Sequence, residues 1–296
     1  MKIEDVIIVG AGPAGLAAAI QLERYGLEPL VFERAQIGGL LRNANLVENY
    51  PGFPQGISGM ELVGLIAHQV HNLGIEVTLQ EVTSVGYNGV LFEVETRAGR
   101  YSSKVLVIAT GTEAVRFKGL AIPEELNHKV FYEVFDLTGI EHKCVVIVGS
   151  GDAAFDYALN LGRKNQVIML NRSKTPKCLP LLWERCASLP SISYHDDITL
   201  CQLRSDDADG LWLECKSGIS EIQFHADYLL GAIGREARLS CMSESLRQQE
   251  QALEEQGVLY LIGDVKNGIY RQTSIAVGDG VMAAMKIYRR LKEKMS

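Results

Sequence analysis

The sequence predicts an α/β fold with two doubly wound units. The first observation is a glycine-rich segment, residues 10–15 (GAGPAG), that follows the apolar run 6–9 and opens a helical pattern. The second is a similar segment, residues 149–154 (GSGDAA), that follows the apolar run 145–148 and also opens a helical pattern. Apolar strands and helical patterns alternate along the rest of the chain, which is typical of doubly wound architecture.

Both glycine-rich segments fit the fingerprint of a dinucleotide-binding turn. The first glycine, Gly10 or Gly149, permits a tight turn, and the second, Gly12 or Gly151, leaves room for a pyrophosphate. The third small residue lets the helix pack against the strand, while the helix N-terminus offers amides and a positive dipole end to the anion. Because each copy has a strand before it and a helix after it, we expect two dinucleotide-binding units.

The strand after each fingerprint helix distinguishes the two predicted sites. Strand 29–32 ends in Glu33, whose carboxylate can accept hydrogen bonds from both hydroxyls of an adenosine ribose, so the first site suits FAD or NAD. Strand 167–170 is instead followed by Asn171-Arg172-Ser173-Lys174, with Lys177 just beyond. Cations without an acid favour the 2′-phosphate of NADP(H). The alternative is that these basic residues lie on a solvated loop.

The elements between the two fingerprints continue this pattern. A segment rich in glycine and proline runs from Gly38 to Pro54, and a helical pattern covers residues 60–73. Strand patterns at 76–87 and 91–96 predict a small antiparallel layer.

Two further apolar strands and a closing helix complete the first unit. Strands 105–109 and 258–262 end at Thr110-Gly111 and Gly263-Asp264, and residues 273–292 have a helical pattern. The second fingerprint unit is therefore inserted into the first. The prediction is two Rossmann-like, three-layer (ββα) domains, one formed by 1–113 with 242–296 and the other by 114–241.

Composition and charge limit the possible functions. The chain has 296 residues, 47% of them hydrophobic, which suits about two domains of ordinary size. Its net charge of −7 disfavours a nucleic-acid partner. The sequence has no leader pattern and no apolar stretch of about 18 residues, so we expect a cytoplasmic protein without a membrane segment. Six cysteines without zinc spacing predict no metal site: Cys144, Cys178, Cys186, Cys201, Cys215 and Cys241.

Several motifs outside the fingerprints point to a known family. They are Gly38-Gly39, residues 47–54 (VENYPGFP), Ala109-Thr110-Gly111, Gly263-Asp264 and residues 269–272 (IYRQ). Together they resemble the low-molecular-weight thioredoxin-reductase family of FAD-dependent pyridine nucleotide oxidoreductases, over essentially the whole chain. The resemblance implies FAD in the first unit, a pyridine nucleotide in the second, and a homodimer.

The same resemblance implies the residues that contact each nucleotide. It assigns FAD binding to Gly10, Gly12, Pro13, Ala14, Gly15, Glu33, Arg34, Gly39, Leu40, Asn49, Thr110, Gly111, Gly263, Asp264, Arg271, Gln272 and Thr273. It assigns NADP(H), or another ligand of that site, to Gly149, Gly151, Asp152, Ala153, Asn171, Arg172, Ser173, Lys177, Ile233, Gly234 and Arg235. The arginine-rich phosphate motif of the family is degraded at 171–177, where only Arg172 survives and Lys177 is the substitute.

The family's redox disulfide is missing from this sequence. Counted back from the second fingerprint, the family's Cys-x-x-Cys-Asp segment falls on residues 132–136 (YEVFD), so Tyr132 and Phe135 replace the two cysteines. Disulfide exchange needs a sulfur that attacks and a sulfur that leaves, and neither aromatic side chain supplies one. Asp136 stands where the disulfide reductases hold a proton-donating acid. It is a candidate catalytic residue, with a helix N-cap or no retained role as the alternatives.

The segment around Tyr132 also resembles a related group that lacks the disulfide. Residues 131–137 (FYEVFDL) are similar to the corresponding segment of thioredoxin-reductase-like ferredoxin or flavodoxin NADP reductases. The leading hypothesis is therefore electron transfer between NADPH and ferredoxin or flavodoxin through FAD. Such a carrier is acidic, and the candidate docking surface for it is a basic set near the chain end: Lys286, Arg289, Arg290, Lys292 and Lys294. The alternative is that this set is only the solvated end of a helix.

Three alternative functions stay open from the sequence. The altered second site could hold a second flavin or another ligand in an enzyme that does not use pyridine nucleotides. Cys178 and Cys186 could serve a disulfide or thiol oxidoreductase outside the family position. The chain could also be a non-enzymatic flavin redox sensor.

Overall fold

The computed structural model describes residues 2–206 and 210–293, which form two compact units. The second unit consists of Asn43–Leu46 and Ala114–Arg235, and the first unit comprises the other described residues. In chain order the described strands are β1 (Ile3–Val9), β2 (Leu30–Glu33), β3 (Val77–Leu79), β4 (Val82–Tyr87), β5 (Phe92–Thr96), β6 (Arg100–Ile108), β7 (Thr112–Ala114), β8 (Val130–Phe131), β9 (Cys144–Val148), β10 (Gln166–Leu170), β11 (Ile192–His195), β12 (Thr199–Ser205), β13 (Leu211–Ser217), β14 (Ser220–Ala226), β15 (Tyr228–Gly231), β16 (Arg235–Ala237) and β17 (Leu259–Leu261).

The helices are fewer and mostly short. The described α-helices are α1 (Pro13–Glu23), α2 (Gly59–Asn72), α3 (Asp152–Leu161), α4 (Pro180–Ala187), α5 (Glu244–Glu255) and α6 (Thr273–Glu293). Short 3-10 helices cover Gly39–Asn43, Glu124–Lys129, Val134–Leu137 and Gly263–Val265. Within the described ranges, no helix has both the length and the apolar character needed to cross a membrane.

The sheet of the first unit is parallel at its centre and antiparallel at one side. Strands β3, β2, β1 and β6 are neighbours in that order and run parallel. The long strand β6 pairs in its first half with antiparallel β5, which in turn pairs with β4, and in its second half with parallel β17. The two glycine turns after β1 and β6 therefore lie at the same end of the sheet.

Both faces of this sheet are covered, as a parallel sheet requires. Successive residues of β1 point to opposite faces, so Ile8 packs with α1 and α6, whereas Ile7 packs with β4, β5 and α5. Phe32 and Phe92 are fully buried in the second of these cores. The unit is thus a central sheet with α1 and α6 on one side and an antiparallel layer together with α5 on the other.

The second unit repeats the same three-layer plan. Its parallel sheet has the order β11-β10-β9-β15-β8, and β12, β13 and β14 form a separate antiparallel sheet. Ile147 packs with Phe155 of α3 on one face, while Val146 packs with Leu213 of β13 on the other. The predicted fold class, two Rossmann-like units of three layers, is confirmed.

The unit boundaries differ from the expected positions at two places. Residues 236–241 belong to the first unit, not to the insertion, because Thr110 Oγ1 donates to the Arg238 carbonyl at 2.6 Å and the Val85 N–H donates to the Cys241 carbonyl at 2.7 Å. Asn43–Leu46 belongs to the second unit although its sequence neighbours belong to the first. No local pattern in the sequence indicated either assignment.

Candidate active site

The first fingerprint turn is built from glycines that pack tightly on one side and leave open space on the other. A β-carbon on Gly10 (φ +108°) would lie 2.4 Å from the Ala109 carbonyl oxygen, and one on Gly15 would lie 1.9 Å from that of Gly10. In contrast, no described atom beyond the chain neighbours lies within 4 Å of a β-carbon built on Gly12. The open side of Gly12 fits the close backbone approach of a pyrophosphate.

The helix that follows presents its N-terminus to this open space. Helix α1 begins at Pro13, directly after the extended residue Gly12, and its first turn contains no acidic residue. Proline is well suited to this position because its missing N–H would have no helical partner there. Ala14 and Gly15 complete the turn, whose amides and helix dipole favour an anion.

Glu33 and Gly39 are brought against the fingerprint turn. The Glu33 carboxylate accepts the Ala11 N–H at 2.9 Å and the Ala35 N–H at 3.0 Å, which fixes it at the end of β2. A β-carbon on Gly39 would lie 3.2 Å from Gly12 Cα. Of their neighbours on this loop, Arg34 is exposed and Leu40 is half-buried.

Gly263 lies at the start of α1, as a contact with the same nucleotide would require. Its φ is +72°, a β-carbon on it would lie 2.8 Å from Ala14 Cβ, and its N–H donates to Asp279 Oδ2 at 3.0 Å. Asp264 follows and is half-buried. Thr110 lies at the end of β6, and its hydroxyl donates to the Arg238 carbonyl. The next residue, Gly111, has a φ of +66°.

Asn49 and the start of α6 meet although they are far apart in the sequence. Asn49 Nδ2 donates to Gln272 Oε1 at 2.8 Å, and Ser274 Oγ donates to the Asn49 carbonyl at 3.3 Å. Thr273 is the first residue of α6, and Arg271, two residues before it, is half-buried. The structure therefore brings together Asn49 and Gln272, two members of the predicted FAD set that are far apart in the sequence, within the first unit.

The second fingerprint turn has the same tight and open sides. A β-carbon on Gly149 (φ +146°) would lie 2.2 Å from the Ala232 carbonyl oxygen, whereas no described atom lies within 4 Å of one on Gly151, chain neighbours aside. Asp152 Oδ1 accepts the Leu179 N–H at 2.8 Å, so this carboxylate serves the protein's own loop. Ala153 is exposed in the first turn of α3.

The side-chain amide of Asn171, a predicted ligand contact, is engaged within the protein. It is buried, its Nδ2 donates to the Thr175 carbonyl at 3.0 Å and to the Tyr194 hydroxyl oxygen at 2.8 Å, and its Oδ1 accepts the Ser173 N–H at 3.0 Å. Its amide is thus used to shape the loop. The side chains of Arg172 and Lys177 are exposed and available to an anion.

Arg235 was also expected to line the nucleotide cleft, and its guanidinium is engaged elsewhere. Nη2 donates to Glu133 Oε1 at 2.8 Å and Nη1 to Glu133 Oε2 at 3.2 Å, with the Arg235 side chain 17% exposed. Ile233 is exposed. Gly234 has a φ of +132°, and its carbonyl accepts the Val115 N–H at 3.0 Å. Of the two side chains predicted to line this part of the cleft, Ile233 is therefore the exposed one and Arg235 is paired.

Tyr132 and Phe135, the aromatic residues predicted to replace the family's two cysteines, are packed in place. Tyr132 is half-buried, its ring centroid is 5.5 Å from that of Phe117, and the Arg116 guanidinium carbon lies 4.9 Å from the same ring. A β-carbon on Gly231 would lie 2.9 Å from the Tyr132 ring, so the glycine leaves room for it. Phe135 is half-buried on the 3-10 helix Val134–Leu137.

Asp136 lies inside this 3-10 helix and is exposed, whereas Glu133 precedes the helix. Asp136 is therefore not the N-cap. The residue that sequence reasoning missed is Glu133, whose Oε2 accepts Asn43 Nδ2 at 2.7 Å. The available signal was a carboxylate within an apolar segment, which requires a partner when it is buried.

A second carboxylate of the second unit, that of Asp156, lies on α3. Its Oδ2 accepts the Asn45 N–H at 2.8 Å. Burial raises the pKa of Asp156 to about 6, and hydrogen bonds from the Asn45 and Leu46 amides oppose that shift. Burial also raises the pKa of the neighbouring Tyr157.

The cysteines do not form a redox pair in this structure. All six are free thiols, and Cys178 and Cys186 lie in the apolar core around α3 and α4. Burial raises the pKa of Cys186 to about 12 and also raises that of Cys178. Reactive thiols have lowered pKa values because the thiolate is the nucleophile, so the alternative based on this pair lacks physical support.

The basic set at the chain end is remote from the predicted flavin contacts. Lys286, Arg289, Arg290 and Lys292 lie on α6, and Lys294 lies outside the described residues. From Thr273 to Lys286 the helix spans roughly 20 Å at 1.5 Å per residue. A carrier docked on this set would therefore lie far from the N-terminus of α6.

Comparisons with known proteins cover nearly the whole chain. A family model described as pyridine nucleotide-disulphide oxidoreductase matches residues 4–280. Thioredoxin reductase of Treponema pallidum is 31% identical over 95% of this chain and 94% of that protein, and thioredoxin reductase of Streptomyces clavuligerus is 30% identical over 98% and 94%. The solved structure of Lactococcus lactis thioredoxin reductase superposes with a TM-score of 0.85 at 26% identity, covering 98% of this chain and 99% of the other.

Proposed function

Since this chain belongs to the pyridine nucleotide-disulphide oxidoreductase family, we propose that it carries electrons from NADPH through FAD to an external acceptor without a disulfide relay of its own. Membership makes it an FAD-dependent oxidoreductase linked to a pyridine nucleotide. The observation that carries the proposal is the packing of Tyr132 against Phe117, since the resemblance assigns Tyr132 and Phe135 to the positions of the family's cysteines. Neither side chain can exchange electrons with a disulfide.

The residues of each unit fit the group that they would hold. When bound, FAD supplies the hydride-accepting and electron-donating chemistry. Gly12 would admit its pyrophosphate to the N-terminus of α1, while Glu33, fixed by the Ala11 and Ala35 amides, would accept hydrogen bonds from ribose hydroxyls. In the second unit Gly151 would admit the nucleotide pyrophosphate, with Arg172 and Lys177 near a 2′-phosphate.

Two classes of acceptor are candidates. A ferredoxin or flavodoxin is favoured by the resemblance of residues 131–137 to reductases of those carriers. Thioredoxin is favoured by the names of the relatives, and it would have to be reduced without a cysteine pair at positions 132 and 135. The exposed end of α6 is not the docking surface in this proposal, because of its distance from Thr273.

An anaerobic titration tests the proposal. Addition of NADPH to the purified flavoprotein is expected to bleach the flavin stoichiometrically, and ferredoxin or flavodoxin is expected to restore its absorbance faster than thioredoxin does. Faster reoxidation by thioredoxin would instead make thioredoxin the favoured acceptor. Absence of bleaching by both NADPH and NADH would contradict the proposal and favour a nucleotide-independent flavoenzyme.

A variant separates the nucleotide site from the fold. Gly151→Val fits the extended backbone of this residue (φ −89°, ψ 175°) and fills only the open space beside it, so we expect retained FAD but at least tenfold slower bleaching by NADPH. Gly86→Val is the matched control, because a β-carbon on this glycine of β4 also meets no described atom within 4 Å. Equal bleaching rates in the two variants would place the nucleotide elsewhere.

A further inference from the structure

Residues Asn43–Leu46, here called the strap, belong to the second unit although the chain before and after them belongs to the first. We propose that Glu133 is a positioning residue whose carboxylate, oriented by Arg235, fixes the strap through Asn43. The position between the two lost cysteines would thus have acquired a structural task. This inference does not depend on the identity of the electron acceptor.

Asn43 is bound through both ends of its amide. Its Nδ2 donates to Glu133 Oε2 at 2.7 Å, and its Oδ1 accepts the Phe135 N–H at 3.1 Å. The residue is 6% exposed, so these bonds form away from bulk water. An amide that donates on one side and accepts on the other has a single satisfied orientation, which fixes the strap at its first residue.

Arg235 holds the Glu133 carboxylate in the orientation that Asn43 needs. Its two terminal nitrogens bind the two carboxylate oxygens at 2.8 and 3.2 Å. This two-pronged pairing fixes direction as well as distance. Because the Glu133 and Arg235 side chains are only 27% and 17% exposed, loss of either partner would leave a poorly hydrated charge.

The strap has a second anchor on α3. Asp156 Oδ2 accepts the Asn45 N–H at 2.8 Å, two residues beyond Asn43. Two carboxylates from separate elements of the second unit therefore bind a stretch of four residues. A bridge of this kind accounts for the placement of the strap in that unit.

The strap is directly continuous with part of the predicted FAD site. Gly39, whose β-carbon would lie 3.2 Å from Gly12 Cα, and Leu40 precede Asn43 by only a few residues. Three residues of chain span at most roughly 10 Å, so Asn43 lies within about that distance of Leu40.

Hydrogen exchange of the FAD-loaded full chain tests the proposal. In Glu133→Gln the new side-chain amide meets donors on both sides, and in Asn43→Asp a second carboxylate faces Glu133. We expect each single variant to accelerate exchange of the strap amides by about tenfold, as loss of one hydrogen bond to a charged group would. Glu214→Gln is the matched control, since Glu214 pairs with Arg204 at 2.6 Å in the same unit and does not contact the strap.

The double variant gives the sharper readout. Glu133→Gln with Asn43→Asp restores a donor–acceptor pair between positions 133 and 43 and conserves total charge. Because Arg235 Nη1 would then face the Gln amide, strap exchange is expected to be slower than in either single variant but still faster than in the wild type. Unchanged strap exchange in both single variants, or equal acceleration throughout the second unit, would overturn the proposal. Should Glu133→Gln fail to fold, Asn43→Ser removes the same contacts from the strap side and is read in the same way.

Discussion

The fold raises the pKa of Asp156 into a range where its titration can be followed in the folded protein. Its pKa is raised from 3.8 to about 6 by burial on α3, against the opposing effect of the Asn45 and Leu46 amides and of Arg163. A raised carboxyl pKa means that the folded protein binds the proton more tightly than the unfolded chain. The contribution of Asp156 to stability is therefore lost as pH rises from about 4 to about 6, and stays lost above that range.

Asp156→Asn should remove this dependence. Relative to the wild type, we expect the free energy of unfolding of the variant to rise between pH 4 and pH 6 and then level off, by at most about 3 kcal/mol for a shift of about two pKa units. Loss of the charged acceptor for the Asn45 amide will reduce the gain. Urea unfolding at several pH values measures the difference, and Asp136→Asn, at an exposed carboxyl of the same unit, is the control. A difference that does not vary with pH would contradict the assignment.

At the scale of elements, the packing of α1 on α6 depends on one glycine. A β-carbon on Gly280 would lie 2.2 Å from the Ala14 carbonyl oxygen and 2.9 Å from the Ala18 nitrogen. These are backbone atoms of α1, which cannot move aside without displacing the whole helix. Because α1 also begins at the fingerprint turn, its position and the geometry of the predicted FAD site are linked.

Two glycine substitutions in α6 should have opposite effects. Glycine to alanine in a helix ordinarily stabilises by up to about 1 kcal/mol, and Gly278, with no described atom within 4 Å of its β-carbon, should follow that rule. Gly280→Ala should instead destabilise by about 1–3 kcal/mol through overpacking and weaken FAD retention. Thermal unfolding and the flavin-to-protein absorbance ratio measure both effects. A more stable Gly280→Ala would show that α1 can shift freely.

The sequence allowed prediction of the elements whose causes are local. The fingerprint turns were predictable because tight packing at Gly10 and Gly149 and open space at Gly12 and Gly151 demand glycine at fixed spacing. The link between Asn43 and Glu133 was not, because it joins residues 90 positions apart with no shared periodicity. Arg235, which pairs with Glu133, and the loop residue Asn171 were both assigned to a ligand. Residue type alone does not reveal that a polar side chain has its hydrogen-bond partners within the protein.

At the scale of the whole molecule, the homodimer implied by the resemblance stays a prediction. Static light scattering of the purified protein is expected to give about twice the mass of the 32.5 kDa chain. A concentration-independent mass of one chain would contradict it. The measurement is best made with FAD bound, because a bound ligand stabilises the folded state on which assembly depends.

Gly231 also bears on how reversible the loss of the cysteines is. The Tyr132 ring occupies the space that this glycine leaves, beside Phe117 and beneath Arg116. A cysteine returned to position 132 would be too small to fill that space, and a larger residue brought first to position 231 would collide with the ring. Each order of substitution passes through a less well packed intermediate, so returning a cysteine to position 132 is expected to cost stability unless position 231 changes as well.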